Sequence, residues 1–183
     1  MIRRASYTAE EFEQVAEGLG STELIRGEVV ELSPGGFLHS RIVMRVGFLL
    51  EQWARPRRTG RVLTCEAGVV VESDPATVRG GDVVYVSYER IPQDRKPRGF
   101  LRIPPELVVE VLGEDQGWST LQEKVDQYLA FGVDRVWVVH PELLQVRVFK
   151  SGAEPDCIAE DEVLSDDDVL PGFSCMVREF FDD

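Results

Sequence analysis

Three polar residues stand where the hydrophobic pattern leaves little room for them. Leu107-Val108-Val109-Glu110-Val111-Leu112 is apolar on both alternating faces except at Glu110, the pattern of a strand buried on both sides. A lone buried carboxylate costs on the order of several kcal/mol unless something compensates it. A buried ion pair, a raised pKa and a bound cation all meet that need, and this segment alone does not choose among them. Gly80-Gly81-Asp82-Val83-Val84-Tyr85-Val86 places a second carboxylate at the start of another apolar run, where the plain alternative is a turn aspartate at the strand's edge. Lys124 follows Leu121 by three residues and precedes Tyr128 by four, so it shares their helical stripe while Gln122, Glu123, Asp126 and Gln127 face water. The simple outcome for such a lysine is a packed stem with its ammonium snorkelling at the end of a sheet.

Together the three are more informative than any one of them. Two acids from neighbouring strands and a cation from a helix can converge on a single point, and that convergence suits metal-assisted hydrolysis. Two carboxylates bind Mg²⁺ through a few oxygens and leave positions for water and a substrate phosphate. The ion acidifies a water and polarises the phosphoryl group, while a lysine orients the nucleophile and stabilises charge in the transition state.

The flanking sequence supplies elements able to hold these residues. Ser6 or Thr8 before Ala9-Glu10-Glu11-Phe12 predicts a short capped helix, and residues 23–32 predict a hairpin turning at Arg26-Gly27. From His39 to Ala54, Ile42, Val43, Val46, Leu49, Leu50 and Trp53 recur at helical spacing, with Arg41, Arg45 and Gln52 outside. Strand-like runs cover 61–72, 82–86 and 106–112. A helix carrying Leu121, Val125, Tyr128 and Leu129 then closes at Gly132, and strands follow at 135–139 and 146–150. The predicted fold class is α/β, an α+β mixed sheet with a core of order α-β-β-β-α-β behind an N-terminal helix and hairpin. With 183 residues, no internal repeat and no long linker, the chain is expected to form one domain, 1–183, with an acidic C-terminal extension from about 151.

Composition narrows the function classes. Hydrophobic residues make up 43% and charged residues 29%, mean hydropathy is -0.14, and no run approaches the roughly 18–20 apolar residues that cross a bilayer, so no membrane association is expected. No apolar stretch separates Arg3-Arg4 from Glu10-Glu11, so no secretory signal is read, and a cytoplasmic location is expected. Cys65, Cys157 and Cys175 form no CxxC pair, which fits reduced thiols and gives no zinc site.

The net charge of -13 argues against an open, charge-driven nucleic-acid binder, but residues 151–183 hold eleven of the acids against Arg178 alone. In the body, positive charge clumps at Arg41, Arg45, Arg55, Arg57, Arg58 and Arg61, and again at Arg90, Arg95, Lys96, Arg98 and Arg102. A solvated mixed surface is one reading of these clumps. The other is a phosphate face, with Arg41, Arg45, Arg57 and Arg58 as its nucleic-acid contacts and the acids of 154–168 repelling DNA.

The order and the residues resemble the Uma-two family of proposed restriction endonucleases, within the PD-(D/E)XK nuclease superfamily. The resemblance spans nearly the whole chain: Glu23-Leu24-Ile25-Arg26-Gly27-Glu28-Val29-Val30-Glu31-Leu32-Ser33-Pro34, His39 opening the helix, Gly81-Asp82-Val83, and Pro104-Pro105-Glu106-Leu107-Val108-Val109-Glu110-Val111-Leu112. It continues through Lys124 and Tyr128, Gly132-Val133-Asp134-Arg135-Val136-Trp137-Val138-Val139, and Leu170-Pro171-Gly172-Phe173. The resemblance implies a restriction-endonuclease-like core, Asp82 and Glu110 as ligands of Mg²⁺ (or Mn²⁺), and Lys124 as the catalytic lysine moved from strand to helix. The sequence departs from the superfamily motif at Leu112, where the lysine usually stands, and at Gly81, where the motif has proline. His140 stands where the family usually has aspartate, and a surface position is the plain reading for it.

His39 and Glu28 match further family positions and are accessory candidates; for His39 a packing role and a proton shuttle both fit. The expected function is metal-dependent hydrolysis of DNA phosphodiester bonds. The alternative is a catalytically silent nuclease fold acting in oligomerisation or regulation. A homo-oligomer, most simply a twofold dimer, is expected because duplex cleavage needs two sites and because Trp53, Trp118, Trp137 and Phe180-Phe181 exceed one small core's needs.

Overall fold

The computed structural model describes residues 6–113 and 117–182. The start of the chain, 1–5, on which the reading of no secretory signal partly rests, and Asp183 of the acidic segment lie outside the described residues.

Thr8 caps α1 (Ala9–Ala16): its hydroxyl accepts from Glu11 N, and the Glu11 carboxylate accepts from Thr8 N. β1 (Thr22–Ile25) and β2 (Glu28–Glu31) pair as the expected hairpin, with both Arg26 and Gly27 at positive φ. α2 (Phe37–Arg57) outruns its apolar stripe at both ends and buries Ile42, Val46, Leu50 and Trp53. β3 (Gly60–Ser73) and β4 (Ala76–Ser87) form a long hairpin, followed by β5 (Leu107–Val111). Next come α3 (Trp118–Phe131), β6 (Arg135–His140) and β7 (Gln145–Phe149). Gly132 ends α3 with φ at +105°, a conformation in which a Cβ is penalised. The chain finishes with β8 (Asp156–Ala159), β9 (Val163–Ser165), β10 (Ser174–Met176) and a 3-10 turn, Val177–Phe180.

The expected core order is present as α2-β3-β4-β5-α3-β6. Eight strands make one mixed sheet, ordered β2-β1-β4-β5-β6-β7-β8, with β3 paired to β4 off that path. β5 and β6 run parallel, as a helical crossover through α3 requires, and the other pairings between these strands are antiparallel. The two-residue period then divides the core. Val83, Tyr85, Leu107 and Val109 face α2, while Val84, Val86 and Val108 face α3.

Three expectations need correction. β4 begins at Ala76, so Asp82 lies in mid-strand and not at a turn. Gly80-Gly81 marks a close approach: a Cβ on Gly81 would come within 2.8 Å of Val84 Cγ2 and 3.0 Å of Val108 Cγ1.

The acidic segment from 151 is woven into the body instead of standing off it. β8 extends the sheet, Leu164, Leu170, Phe173, Val177 and Phe180 join the α2 side of the core, and Trp53 Nε1 donates to Pro171 O at 3.2 Å. The segment is also tied to arginines of the body. Arg45 Nε donates to Glu179 O at 3.2 Å, and Arg135 pairs with Asp166 at 2.6 Å.

Most of the aromatic surplus is spent inside: Trp53, Trp137 and Phe180 are buried and Phe181 is partly buried, while Trp118 is 38% exposed. The exposed large apolar residues on α2 are Phe37, Leu38, Met44 and Phe48, of which Phe37, Met44 and Phe48 share one helical stripe.

Candidate active site

The site sits where the sheet forks. β4 is paired along one edge with β3, while its other edge meets β1 at Val78 and β5 from Val83 onward. Residues 79–82 span the gap between those two partners. Continuing the β4–β5 register by one step sets Asp82 opposite Glu110, but there the ladder gives way: Val111 N donates to Asp82 Oδ2 at 2.7 Å. On the other side β3 bulges between Thr64 and Ala67, with Cys65 and Glu66 both at positive φ, a device that recurs beside active sites.

Side chains from five elements close on this gap. Lys124 Nζ donates to Glu110 Oε2 at 2.7 Å and to Gly80 O at 2.8 Å, and lies 3.1 Å from Glu23 Oε1. Tyr128 OH donates to Glu110 Oε1 at 3.0 Å, one turn further along α3. Glu23 accepts from Gly80 N at 2.9 Å and from Arg79 Nη1 at 2.8 Å, and Arg79 Nε donates to Gln127 Oε1 at 2.7 Å. His39, in the first turn of α2, places Nε2 3.3 Å from Asp82 Oδ2. Glu23, Arg79, Glu110 and Lys124 are all buried. The ammonium therefore does not snorkel, because its partners lie inside.

Burial and the excess of acid set the protonation states. Burial pushes the Glu110 carboxyl up, and the charges of Asp82 and Glu23 add to it; Lys124 opposes them, leaving the pKa at about 7. Burial works to lower the Lys124 pKa, but Glu110 and Glu23 outweigh it, so the ammonium is held charged well above the usual lysine range. Burial would also raise Glu23, yet Lys124, Arg79 and the Gly80 N–H together bring it below the ordinary value. The His39 pKa is raised chiefly by its hydrogen bond to Asp82, against burial and with help from the charges of Asp82, Glu110 and Glu66.

Asp82→Asn is accordingly expected to bring His39 down toward 6.5, readable by NMR titration because the chain has only two histidines. An unchanged His39 titration would show that the Asp82 contact does not form in solution.

The structure thus brings together Asp82, Glu110, Lys124 and His39, and leaves the other candidates elsewhere. Glu28 is exposed on β2, and the carboxylate that the hairpin delivers to the cluster is Glu23. Arg41 and Arg45 donate to the Asp182 and Glu179 carbonyls, so both serve to dock the C-terminal segment. Arg57 donates to Trp53 O and Arg58 to Gln93 Oε1, both from exposed positions. Two members of the second basic clump are also engaged: Arg90 pairs with Glu106 and Asp134, and Arg102 with Glu10 and Glu13, while Arg95, Lys96 and Arg98 are exposed. His140 Nδ1 accepts from Leu143 N at 3.4 Å in the β6–β7 turn, away from the cluster.

Glu23 and Arg79 were hidden from the sequence pattern. Gly80-Gly81 looked like the punctuation that precedes a strand, which placed Arg79 in a loop. The hairpin pattern of residues 23–32 by itself assigns Glu23 no buried partner. The available signal was Thr77-Val78-Arg79 continuing β-rich sequence upstream of the glycines.

Asp82 and Glu110 are hard oxygen donors on neighbouring strands. Among the described residues no group of three or more His, Cys, Asp or Glu side chains is set up to hold a metal ion. Two carboxylates are nonetheless the donor set with which Mg²⁺ or Mn²⁺ retains water, and their chemistry fits such an ion.

Comparison with known proteins agrees with this architecture. A putative nuclease belonging to DUF820 from Anabaena variabilis is similar in structure, with a TM-score of 0.79 at 19% identity over 96% of this chain and 97% of that one. The likeness establishes a shared fold. No curated protein matches the sequence significantly. Among the described residues no helix is long and apolar enough to cross a membrane. The sequence pattern of Uma2, described as "Putative restriction endonuclease", matches residues 9–178, and the chain belongs to that family.

Proposed function

We propose that this site hydrolyses DNA phosphodiester bonds with Mg²⁺ or Mn²⁺ held by Asp82 and Glu110. The observation that carries the reading is the buried, charged Lys124 held on Glu110 at the sheet's fork, beside a second carboxylate with His39 on it. A cation and two acids so confined are expensive to bury, and a phosphoryl-transfer site has a use for each of them. A bound divalent ion would supply charge to the phosphoryl oxygens and acidify a nearby water. Lys124 holds a positive charge where the transition state gains negative charge, and the Tyr128 hydroxyl fixes the Glu110 rotamer. Glu23 and Arg79 position Lys124 from behind. His39 holds a proton on Asp82 Oδ2 and is placed to pass one at the edge of the cluster.

A second reading has its own support. Lys124 already neutralises Glu110, and Arg79 already pairs with Glu23, which is a nearly complete salt-bridge network without a metal; the net charge of -13 also disfavours DNA. A silent, oligomerising or regulatory module would look the same. Incubating the protein with plasmid, single-stranded DNA and RNA under Mg²⁺ and Mn²⁺, with Asp82→Ala alongside, separates the two. The nuclease reading expects cleavage of DNA that vanishes in the variant, whereas intact substrates throughout would favour the silent module.

A cytoplasmic, twofold homodimer belongs to the same proposal, with Phe37, Met44 and Phe48 as the apolar stripe available for pairing. Sedimentation at micromolar concentration is expected to give a dimer, and a monomer alone would remove that part.

A further inference from the structure

A cleft of about 700 Å³ opens between α3 and the end of β7, with the 152–155 turn that leads into β8 on its rim. Trp118, Gln122 and Asp126 form one wall from α3, and Arg147, Phe149 and Lys150 form the other. Trp118 is 38% exposed, whereas Trp53 and Trp137 are 5% and 0% exposed. The Arg147 guanidinium lies 4.7 Å over the Trp118 ring, and Phe149 backs the indole at 6.5 Å between centroids. Among the described residues Arg147 makes no ion pair. A flat cation is therefore laid on a half-open indole in a chain whose other arginines are mostly tied to carboxylates or carbonyls.

The chemistry of this cleft suits a planar, uncharged group. Arg147 and Lys150 are offset by Asp126 and Glu154 on its lining, so phosphate alone gains little there. Base stacking on an aromatic ring and a guanidinium does not depend on net charge and works with any base. It is a way for a strongly acidic protein to hold nucleic acid. A base within a duplex already has both faces covered, so such a cleft accepts one that is single-stranded, frayed or extruded.

The cleft also lies within reach of the site. Trp118, Gln122 and Asp126 line the flank of α3 next to the stripe that carries Lys124. From β5, which carries Glu110, to β7 is two strand spacings, about 10 Å, or a few nucleotides at a stacked rise of about 3.4 Å.

We infer that this cleft seats an unstacked nucleobase of the substrate strand on the Arg147–Trp118 stack, so that the site acts on unpaired or locally opened nucleic acid. The inference rests on the phosphodiesterase reading, and its test is separable from it.

Trp118 is the exposed tryptophan, so its fluorescence reports occupancy of the cleft. Without divalent metal, the full chain is titrated with a single strand of about eight nucleotides, with the same strand carrying abasic sites, and with the corresponding duplex. The intact strand is expected to quench the emission and to bind about tenfold more tightly than the abasic strand or the duplex. Trp118→Leu and Arg147→Gln, followed by anisotropy of a labelled strand, are each expected to weaken intact-strand binding about tenfold and to leave abasic binding unchanged. Absence of quenching, equal affinity for intact and abasic strands, or unchanged affinity in both variants would overturn the inference. The first two outcomes need no variant to fold. Cleavage under Mg²⁺ is scored separately on the wild type. Base-dependent binding without cleavage would sink the phosphodiesterase reading and leave the cleft as a binding site, whereas cleavage without base discrimination would sink the cleft alone.

Discussion

Lys124→Met is expected to be the most damaging single substitution in the chain, costing about 3–5 kcal/mol of stability and at least about a hundredfold in cleavage. The stability loss follows from what remains, since Glu110 and Glu23 stay buried after their shared cation is gone. Against a typical domain stability of about 5–15 kcal/mol, the variant is left marginal. The sign of its pH dependence is fixed by the direction of the shifts. In the wild type the Lys124 pKa is raised, so its contribution is fully present below the ordinary lysine value and is lost only in strongly alkaline solution. In the variant the unpaired carboxyls fold best when protonated. The gap between wild type and variant should therefore widen as pH rises from about 4 to neutrality. Urea denaturation at mildly acid and mildly alkaline pH measures it, and a gap independent of pH would mean that the lysine is not what holds these acids. Lys124→Arg should recover part of the stability but little activity, because a forked guanidinium does not fit a point-charge site.

Glu110→Gln should separate stability from function. The Glu110 carboxyl, raised from 4.5 to about 7, stabilises the fold in its protonated form. That contribution is complete below pH 4.5 and is lost as pH rises through about 7, a loss on the order of 3 kcal/mol. Glutamine mimics the protonated acid, so the variant should lack this slope and should equal or exceed the wild type in stability above pH 7. Cleavage should nonetheless fall by at least about a hundredfold, because a carboxylate ligand and a charge are gone. The wild type should gain metal affinity and activity as pH rises through about 7, where Glu110 ionises. Thermal melts of the two proteins across this range, beside a pH–rate profile, check both halves. A variant much less stable than the wild type at pH 8 would contradict the account.

Most of the framework was legible because it rests on period and punctuation. The stripe from Ile42 to Trp53, the continuous apolar run around Glu110 and the glycine after α3 each encode one element locally. Glu110 and Lys124 were legible for the same reason, since each breaks an apolar pattern from within. What was not legible depends on pairing between distant segments. Arg79 becomes a buried residue only because β4 runs through Gly80-Gly81 to meet β1 and β5, and Glu23 acquires a role only when β1 reaches that fork. The C-terminal acids misled for a related reason. Charge density marks an acidic extension from about 151, but Leu164, Leu170, Phe173, Val177 and Phe180 are spaced so that only the folded chain gathers them against α2. Clumped arginines likewise looked like a surface for phosphate, whereas carbonyls and carboxylates elsewhere in the chain claim most of them.

The central claim is that Asp82 and Glu110 form a divalent-metal centre served by Lys124. Calorimetric titration of the full chain with Mn²⁺ at pH 8, where Glu110 is mostly ionised, tests it most directly. The account predicts a saturable site in the wild type that is lost in folded Asp82→Asn and Glu110→Gln proteins and weakened as pH falls below about 7. A wild type that takes up no Mn²⁺ at millimolar concentration, or variants that bind it equally well, would contradict the assignment.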